Sequence, residues 1–251
     1  MAHRVSPRYL GLKLAQAAHE AAAALSSATS SLPEALSRGL EAYRARLTMS
    51  ILITGAAMAP TLNPKATGQP DAVERLLVRL LPRPSERNVF NGDVVAFTSP
   101  LTVAAAAVAG PGGAAAAGLP FGGSSAAVAA AAAAASPGLG QELQQSTMVR
   151  RVSAMPGDEL TTGEEEGAES YIIPEGHCWV LADNESLAPP HVIDSRSFGP
   201  LPLSHIVGRI LYAACSETDH GPVENSEEGM AADAPVIEAE LDIEALCRGE
   251  E

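Results

Sequence analysis

The sequence is poor in bulky side chains and almost without lysine. Aromatic residues fill 4% of its 251 positions, against 22 glycines and 19 prolines, so much of the chain is punctuation and part of it stays outside any core. Its only lysines are Lys13 and Lys65. Cys178, Cys215 and Cys247 lack metal-ligand spacing and can close at most one disulfide. Cys178 lies in an apolar run and reads as a buried free thiol. No apolar run approaches the roughly 20 residues of a membrane span. Lys13, His19 and Glu20 interrupt the one long stretch, and residues 47–62 contain Gly55 and Pro60. No basic surface is left for nucleic acid, and nothing points to a cofactor or a metal.

What charge there is lies unevenly. The formal net charge is −14, and from residue 216 to 251 twelve acids face the single base Arg248. Such a tail is expected to be solvated and disordered, although Ile237 and Leu241 share one helical face, with Ile243 and Leu246 near it. The other end is opposite in sign. Arg4, Arg8 and Lys13 precede any acid in a Ser/Ala/Leu-rich start, the composition of an organelle transit peptide. Between the ends, short β-type runs (51–53, 93–97, 149–154, 171–173, 178–182, 206–212) are divided by Gly, Pro, Asn and Asp, which predicts a mostly β domain. Residues 104–140 are nearly all Ala, Gly, Ser and Pro without charge. Low complexity of this kind builds no core of its own and reads as an inserted loop. The expected organisation is therefore 1–48 as transit peptide and helical lead-in, 49–213 as the β domain with the 104–140 insertion, and 214–251 as an acidic disordered tail.

Four segments in order carry a resemblance. The first runs Gly55-Ala56-Ala57-Met58-Ala59-Pro60-Thr61-Leu62-Asn63-Pro64, and the second is Asn91-Gly92-Asp93-Val94-Val95-Ala96-Phe97 with Ser99-Pro100. The third is Val149-Arg150-Arg151-Val152 through Gly157-Asp158. The fourth extends from Pro174-Glu175-Gly176-His177 through Asp183-Asn184 to Asp194-Ser195-Arg196-Ser197-Phe198-Gly199-Pro200. Together they resemble the sequence boxes of type I signal peptidases. The Leu-Asn-Pro continuation points to the mitochondrial inner-membrane-protease branch, subunit 2 in particular. The resemblance implies a coiled β-sheet domain, with a low-complexity insertion and disordered ends added in this chain.

The family cleaves peptides with a serine nucleophile and a lysine base. The hydroxyl needs a base to take its proton, and lysine serves only when desolvation lowers its pKa toward neutrality. Mapped onto this chain, the nucleophile position is Ala57 and the base position is Arg150. An alanine has no side-chain oxygen, and a guanidinium stays protonated with no lone pair to offer. Val192 stands where the family has a serine that orients the lysine, and Ala182 replaces the glycine before Asp183. The resemblance implies substrate contacts at Gly55, Met58 and Pro60, and structural roles around the site for Arg151, Asp158, Asp183, Asp194 and Arg196. Arg151 and Arg196 are expected to pair with Asp183 and Asp194.

These substitutions predict a non-catalytic subunit of the family, paired with a related catalytic subunit. The site is the inner-membrane surface of mitochondria facing the intermembrane space, with the chloroplast as the alternative compartment. Two other readings remain: a serine endopeptidase with a displaced dyad, and a module that binds extended signal or sorting peptides. A repressor of the related self-cleaving fold needs a basic DNA-binding segment, which the sequence does not show.

Overall fold

The computed structural model describes residues 6–26, 31–100, 147–161 and 170–249. The 104–140 insertion lies outside the described residues. The described chain is mostly β. The strands are β1 (Thr48–Thr54), β2 (Val73–Leu80), β3 (Val94–Thr98), β4 (Thr147–Ala154), β5 (Glu159–Thr161), β6 (Ser170–Ile172), β7 (His177–Leu181), β8 (Leu201–Pro202), β9 (Ile206–Ser216) and β10 (Asp219–Pro222). An antiparallel sheet runs β1-β2-β9-β3-β4-β7-β8, with β10 added to β9, while β5 and β6 form a separate ribbon. Register shifts in β2–β9, β3–β9 and β4–β7 curl the sheet, as β-bulges do. Two apolar clusters fill it. Leu62, Leu76, Val78, Val94 and Ile210 belong to one, and Val89, Val95, Phe97, Val180 and Leu201 to the other. Each such buried side chain contributes about 1.5–3 kcal/mol.

Helices cover the ends. Helices α1 (Pro7–Ser26) and α2 (Leu32–Arg44) pack on each other through small residues. A Cβ at Gly39 would sit 3.1 Å from Ala17 O and from Ala21 Cβ. Residues 7–26, read from the sequence as part of a targeting segment, are thus packed on the body. None of the described helices is long and apolar enough to cross a membrane.

The acidic tail departs from expectation. Instead of a solvated segment, residues 219–249 form β10, α4 (Glu227–Glu240) and α5 (Ile243–Arg248); α3 is the short turn Ser195–Phe198. Val236 and Leu246 are buried with Leu47, Leu77 and Leu211 in a third cluster. Ser226 caps α4 by accepting from Gly229 N, and Asp242 caps α5 by accepting from Ala245 N, each satisfying an orphan amide of a first turn.

Charge is the physical reason. Arg209 on β9 and Arg79 on β2 are cross-strand partners, 1% and 6% exposed, and two buried like charges need counter-ions. Asp233 of α4 supplies one: its Oδ2 accepts from Arg209 Nε at 2.8 Å, and its Oδ1 lies 3.7 Å from Arg79 Nε. Asp93 takes Arg209 Nη1 at 2.5 Å and accepts from Ser226 Oγ at 2.6 Å. Helix and sheet come so close here that a Cβ at Gly229 would stand 2.7 Å from both Arg209 Nη1 and Asp93 Oδ1. Glu240 closes the other end of α4. It accepts from Leu47 N and Thr48 N at 2.9 Å, from Thr48 Oγ1 at 2.8 Å, and from the Tyr9 hydroxyl at 2.5 Å. Burial alone would raise the Glu240 carboxyl, but these donors outweigh it and hold the group below the usual range.

Candidate functional site

The first box is a built turn. Strand β1 leaves the sheet at Thr54, and Gly55 takes φ +82°, a conformation that side chains disfavour. Met58 and Leu62 then drop into the core beside Val94 and Val149. Asn63 staples the turn shut: its amide donates to Glu74 Oε2 at 2.5 Å, and its Nδ2 donates to Gly55 O at 3.3 Å and Ala72 O at 2.8 Å. Ala57 is half-buried, whereas Pro60, preceded by a cis bond, is exposed.

The fourth box holds that turn. Asn184 Nδ2 donates to Ala56 O at 2.8 Å, and Asn184 N donates to Ala57 O at 3.1 Å. Its neighbour Asp183 forms the paired contact with Arg151, whose Nε reaches Oδ1 at 3.0 Å and whose Nη2 reaches Oδ2 at 2.8 Å. This two-pronged geometry is the strong form of the ion pair. Arg151 Nη1 also donates to Gly92 O and Glu224 O, at 2.7 and 3.1 Å, so one side chain ties the second, third and fourth boxes to the start of the tail. Asp194 is fully buried. It caps α3, accepts from Ala182 N at 3.2 Å and pairs with Arg196 Nη2 at 2.7 Å. The hydrogen bond to Asp194 raises Arg196 above its ordinary value. Val192 is 2% exposed and offers no hydroxyl.

Arg150, on β4, is anchored to the same loop. Its Nε donates to Ile193 O at 2.9 Å and its Nη1 to Val149 O at 2.6 Å. Burial pushes the guanidinium down to about 10, against the pull of Asp194 and Asp183. A group with that pKa still carries its proton at neutral pH, so Arg150 is a fixed cation there.

The structure docks both positions that the resemblance singles out on residues 182–194: Ala57 through Asn184, Arg150 through Ile193. Arg151, Asp183, Asp194 and Arg196 sit around them as two ion pairs. Asp158 is not with them. It is exposed and serves the turn after β4, where its Oδ2 accepts from Met155 N at 2.7 Å. Asn184, which carries the Ala56 and Ala57 carbonyls, and Asn225, whose Oδ1 accepts from Val94 N at 2.8 Å, have roles that no residue-type signal in the sequence distinguishes from ordinary turn asparagines. Lys65 pairs with Asp219 at 2.7 Å on the surface. All three cysteines are free, and burial pushes Cys178 up to about 12. Among the described residues no group of three or more His, Cys, Asp or Glu is placed to hold a metal ion.

No protein-family model matches the chain. Over 101 residues it is 39% identical to the mitochondrial ATP-independent inner membrane protease subunit 2 of Arabidopsis thaliana, a match covering 40% of this chain and 49% of that protein. It is 27% identical to the mitochondrial inner membrane protease subunit 2 of Danio rerio, covering 65% of this chain and 62% of the relative. It is 37% identical to the mitochondrial inner membrane protease subunit 1 of Saccharomyces cerevisiae, covering 26% and 39% respectively. The chain thus spans about half the length of these curated relatives.

Proposed function

We propose that this chain, which belongs to the type I signal peptidase-like family together with the mitochondrial inner membrane protease subunits, is a non-catalytic member of it. One observation carries the reading. At the position that the family resemblance assigns to the lysine base stands Arg150, a buried cation whose Nε and Nη1 are bound to carbonyls, and at the position it assigns to the nucleophile stands Ala57. With neither hydroxyl nor base, the covalent route is closed. Only a small acceleration from positioning and amide donors survives such a loss.

The same proposal places the chain at the mitochondrial inner membrane facing the intermembrane space, beside a related catalytic subunit whose sorting-peptide removal it supports. The basic first 30 or so residues act as the import signal. A reporter fused to residues 1–48 is expected in mitochondria, and a diffuse cytosolic signal would remove the targeting claim.

A peptide-binding role is favoured by one further feature. β1 ends the sheet, with β2 as its one strand partner among the described residues; Glu240 already takes Thr48 N at its start, and an outermost strand is where extended peptides add through main-chain hydrogen bonds. The displaced-dyad reading has less support: Lys65 is held by Asp219 on the surface.

Restoration tests the proposal. The purified chain is expected to leave sorting peptides uncut. Ala57→Ser alone gives nothing, because Arg150 takes no proton. Ala57→Ser with Arg150→Lys recovers weak cleavage, and Val192→Ser improves it by orienting the lysine. Turnover by the unaltered, contaminant-free chain, insensitive to changes at positions 57 and 150, would overturn the reading.

A further inference from the structure

Helix α1 is turned inside out. A surface helix ordinarily buries its apolar stripe and exposes its charges. Here Lys13 is 7% exposed and donates to Ala45 O, the Tyr9 hydroxyl donates to Glu240, and His19 Nε2 accepts from Arg83 Nε at 2.7 Å. Leu14 and Leu25 are instead 59% and 50% exposed. Helix α2 adds Leu32, Leu36 and Leu40, at 67%, 68% and 50%.

These leucines share one face. Gly39 lies against Ala17 and Ala21, and Lys13 against Ala45, so the two helices run antiparallel. In that register Leu25 stands level with Leu32, and Ala18 with Leu40. At about 100° per residue, Leu14, Ala18, Ala22 and Leu25 fall to one side of the contact line on α1. Leu32, Leu36 and Leu40 fall to the matching side of α2. Tyr9 and Lys13 fall to the other side of α1, toward the body. The leucine and alanine face carries no charged residue. With 20 and 13 residues in the two helices, a rise of about 1.5 Å each and a width of about 10 Å give a face of roughly 20 by 20–30 Å. Monomers rarely expose apolar patches beyond a few hundred Å². The accessible area of this face is on the scale of the roughly 800 Å² per partner that a stable dimer buries.

The chemistry of the rim selects the occupant. Helices that lie on a lipid surface carry Lys and Arg along the side flanking the apolar face. α1 turns Lys13 inward, and α2 offsets Arg38 with Glu34 at 3.4 Å. A like pair of helices fits better. The leucines of α2 stand at i, i+4 and i+8 and make a ridge, while Ala18 and Ala22 leave a furrow on α1. About a two-fold axis, the ridge of each copy enters the furrow of the other. We propose that the leucine face of α1 and α2 packs on the same face of a second copy of this chain, as a four-helix interface. The inference is independent of the chemistry at positions 57 and 150, and it needs residues 7–26 in the mature chain.

Sedimentation equilibrium of the full chain tests this. A dimer is expected, with a Kd of about 10 µM or below. Leu36→Gln with Leu40→Gln should weaken it about a hundred-fold. The same change should leave the melt of the dilute protein unaltered, because both side chains are exposed in the single copy. Glu34→Gln with Arg38→Gln, on the other side of α2, should leave the dimer intact. Should the glutamines cost helicity, Leu36→Ala with Leu40→Ala keeps a strong helix former and should still weaken the dimer about ten-fold or more. A chain that stays monomeric at about 100 µM, a dimer that survives the leucine changes, or one lost equally with the polar pair would each overturn the proposal. So would leucine-dependent flotation of the chain with vesicles of anionic phospholipid, which would assign the face to lipid.

Discussion

Arg209 and Arg150 stand on either side of one residue. In the sheet register Val95 of β3 faces Arg209 on β9 and Arg150 on β4. Both arginines are buried, yet they are treated differently. Arg209 has two carboxylates, Asp93 and Asp233, plus the ring of Phe90 5.9 Å away. Arg150 has two backbone carbonyls and, among the described residues, no acid within ion-pair distance. A buried charge with its counter-ions in place holds elements together, because removing one partner strands the other. A buried charge without them costs the fold stability. By that criterion the Arg209 cluster is a fastening for the tail, whereas Arg150 joins no such cluster.

The comparison breaks most easily at Asp233. Asp233→Ala leaves Arg209 and Arg79 short of a counter-charge, and breaking a buried pair costs about 3–5 kcal/mol. A urea melt should show a loss of this size, and deletion of residues 226–249 a larger one. A melt unchanged by Asp233→Ala would mean that the tail is not fastened through this cluster.

Glu240 comes next. Glu240→Gln keeps the shape but weakens four hydrogen bonds to a charged acceptor, an expected loss of about 2 kcal/mol at neutral pH. The sign of its pH dependence follows from the lowered pKa. An acid whose folded value lies below its unfolded one contributes stability that is fully present above the unfolded value, about 4.3 for Glu. That contribution disappears as pH falls through the folded value. The gap in stability between the unaltered chain and the Glu240→Gln variant should therefore be constant from about pH 6 to 8 and shrink below about pH 4. A gap that widens in acid would contradict the assignment.

The tail also marks the limit of what is legible in the sequence. β1, β3, β4, β7 and β9 show as β-branched runs between turn residues, and their local composition matches their burial. The Arg151–Asp183 and Arg196–Asp194 pairs are readable because both partners sit within boxes of fixed order. β2 is hidden: in Val73–Leu80 the charged Glu74 and Arg79 are buried, at 7% and 6% exposure, and their partners lie at Asn63 and Asp233. α4 is hidden for the same reason. Its acids read as solvated, Pro235 interrupts it, and nothing near it in sequence shows that Asp233 and Glu240 answer arginines and amides far along the chain. Periodicity reports local burial, whereas a buried carboxylate is decided by its remote partner.

The smallest expected effect is the one that most sharpens the comparison. Arg150→Gln should change stability by no more than about 1 kcal/mol, in either direction. Burial lowers the Arg150 pKa to about 10. For a base whose folded value is depressed, the favourable contribution appears only above its unfolded value and is lost as pH falls through the folded one. At neutral pH the guanidinium is therefore charged in both states, and its charge works against the fold. Glutamine removes that penalty and retains an amide able to donate to Ile193 O or Val149 O, so the two changes offset each other. Paired melts of Arg150→Gln and Asp233→Ala at pH 7 measure the contrast directly. A loss of several kcal/mol at Arg150, matching that at Asp233, would make Arg150 a structural residue like Arg209. A near-zero change would set Arg150 apart from Arg209 as a buried charge on which the fold does not depend.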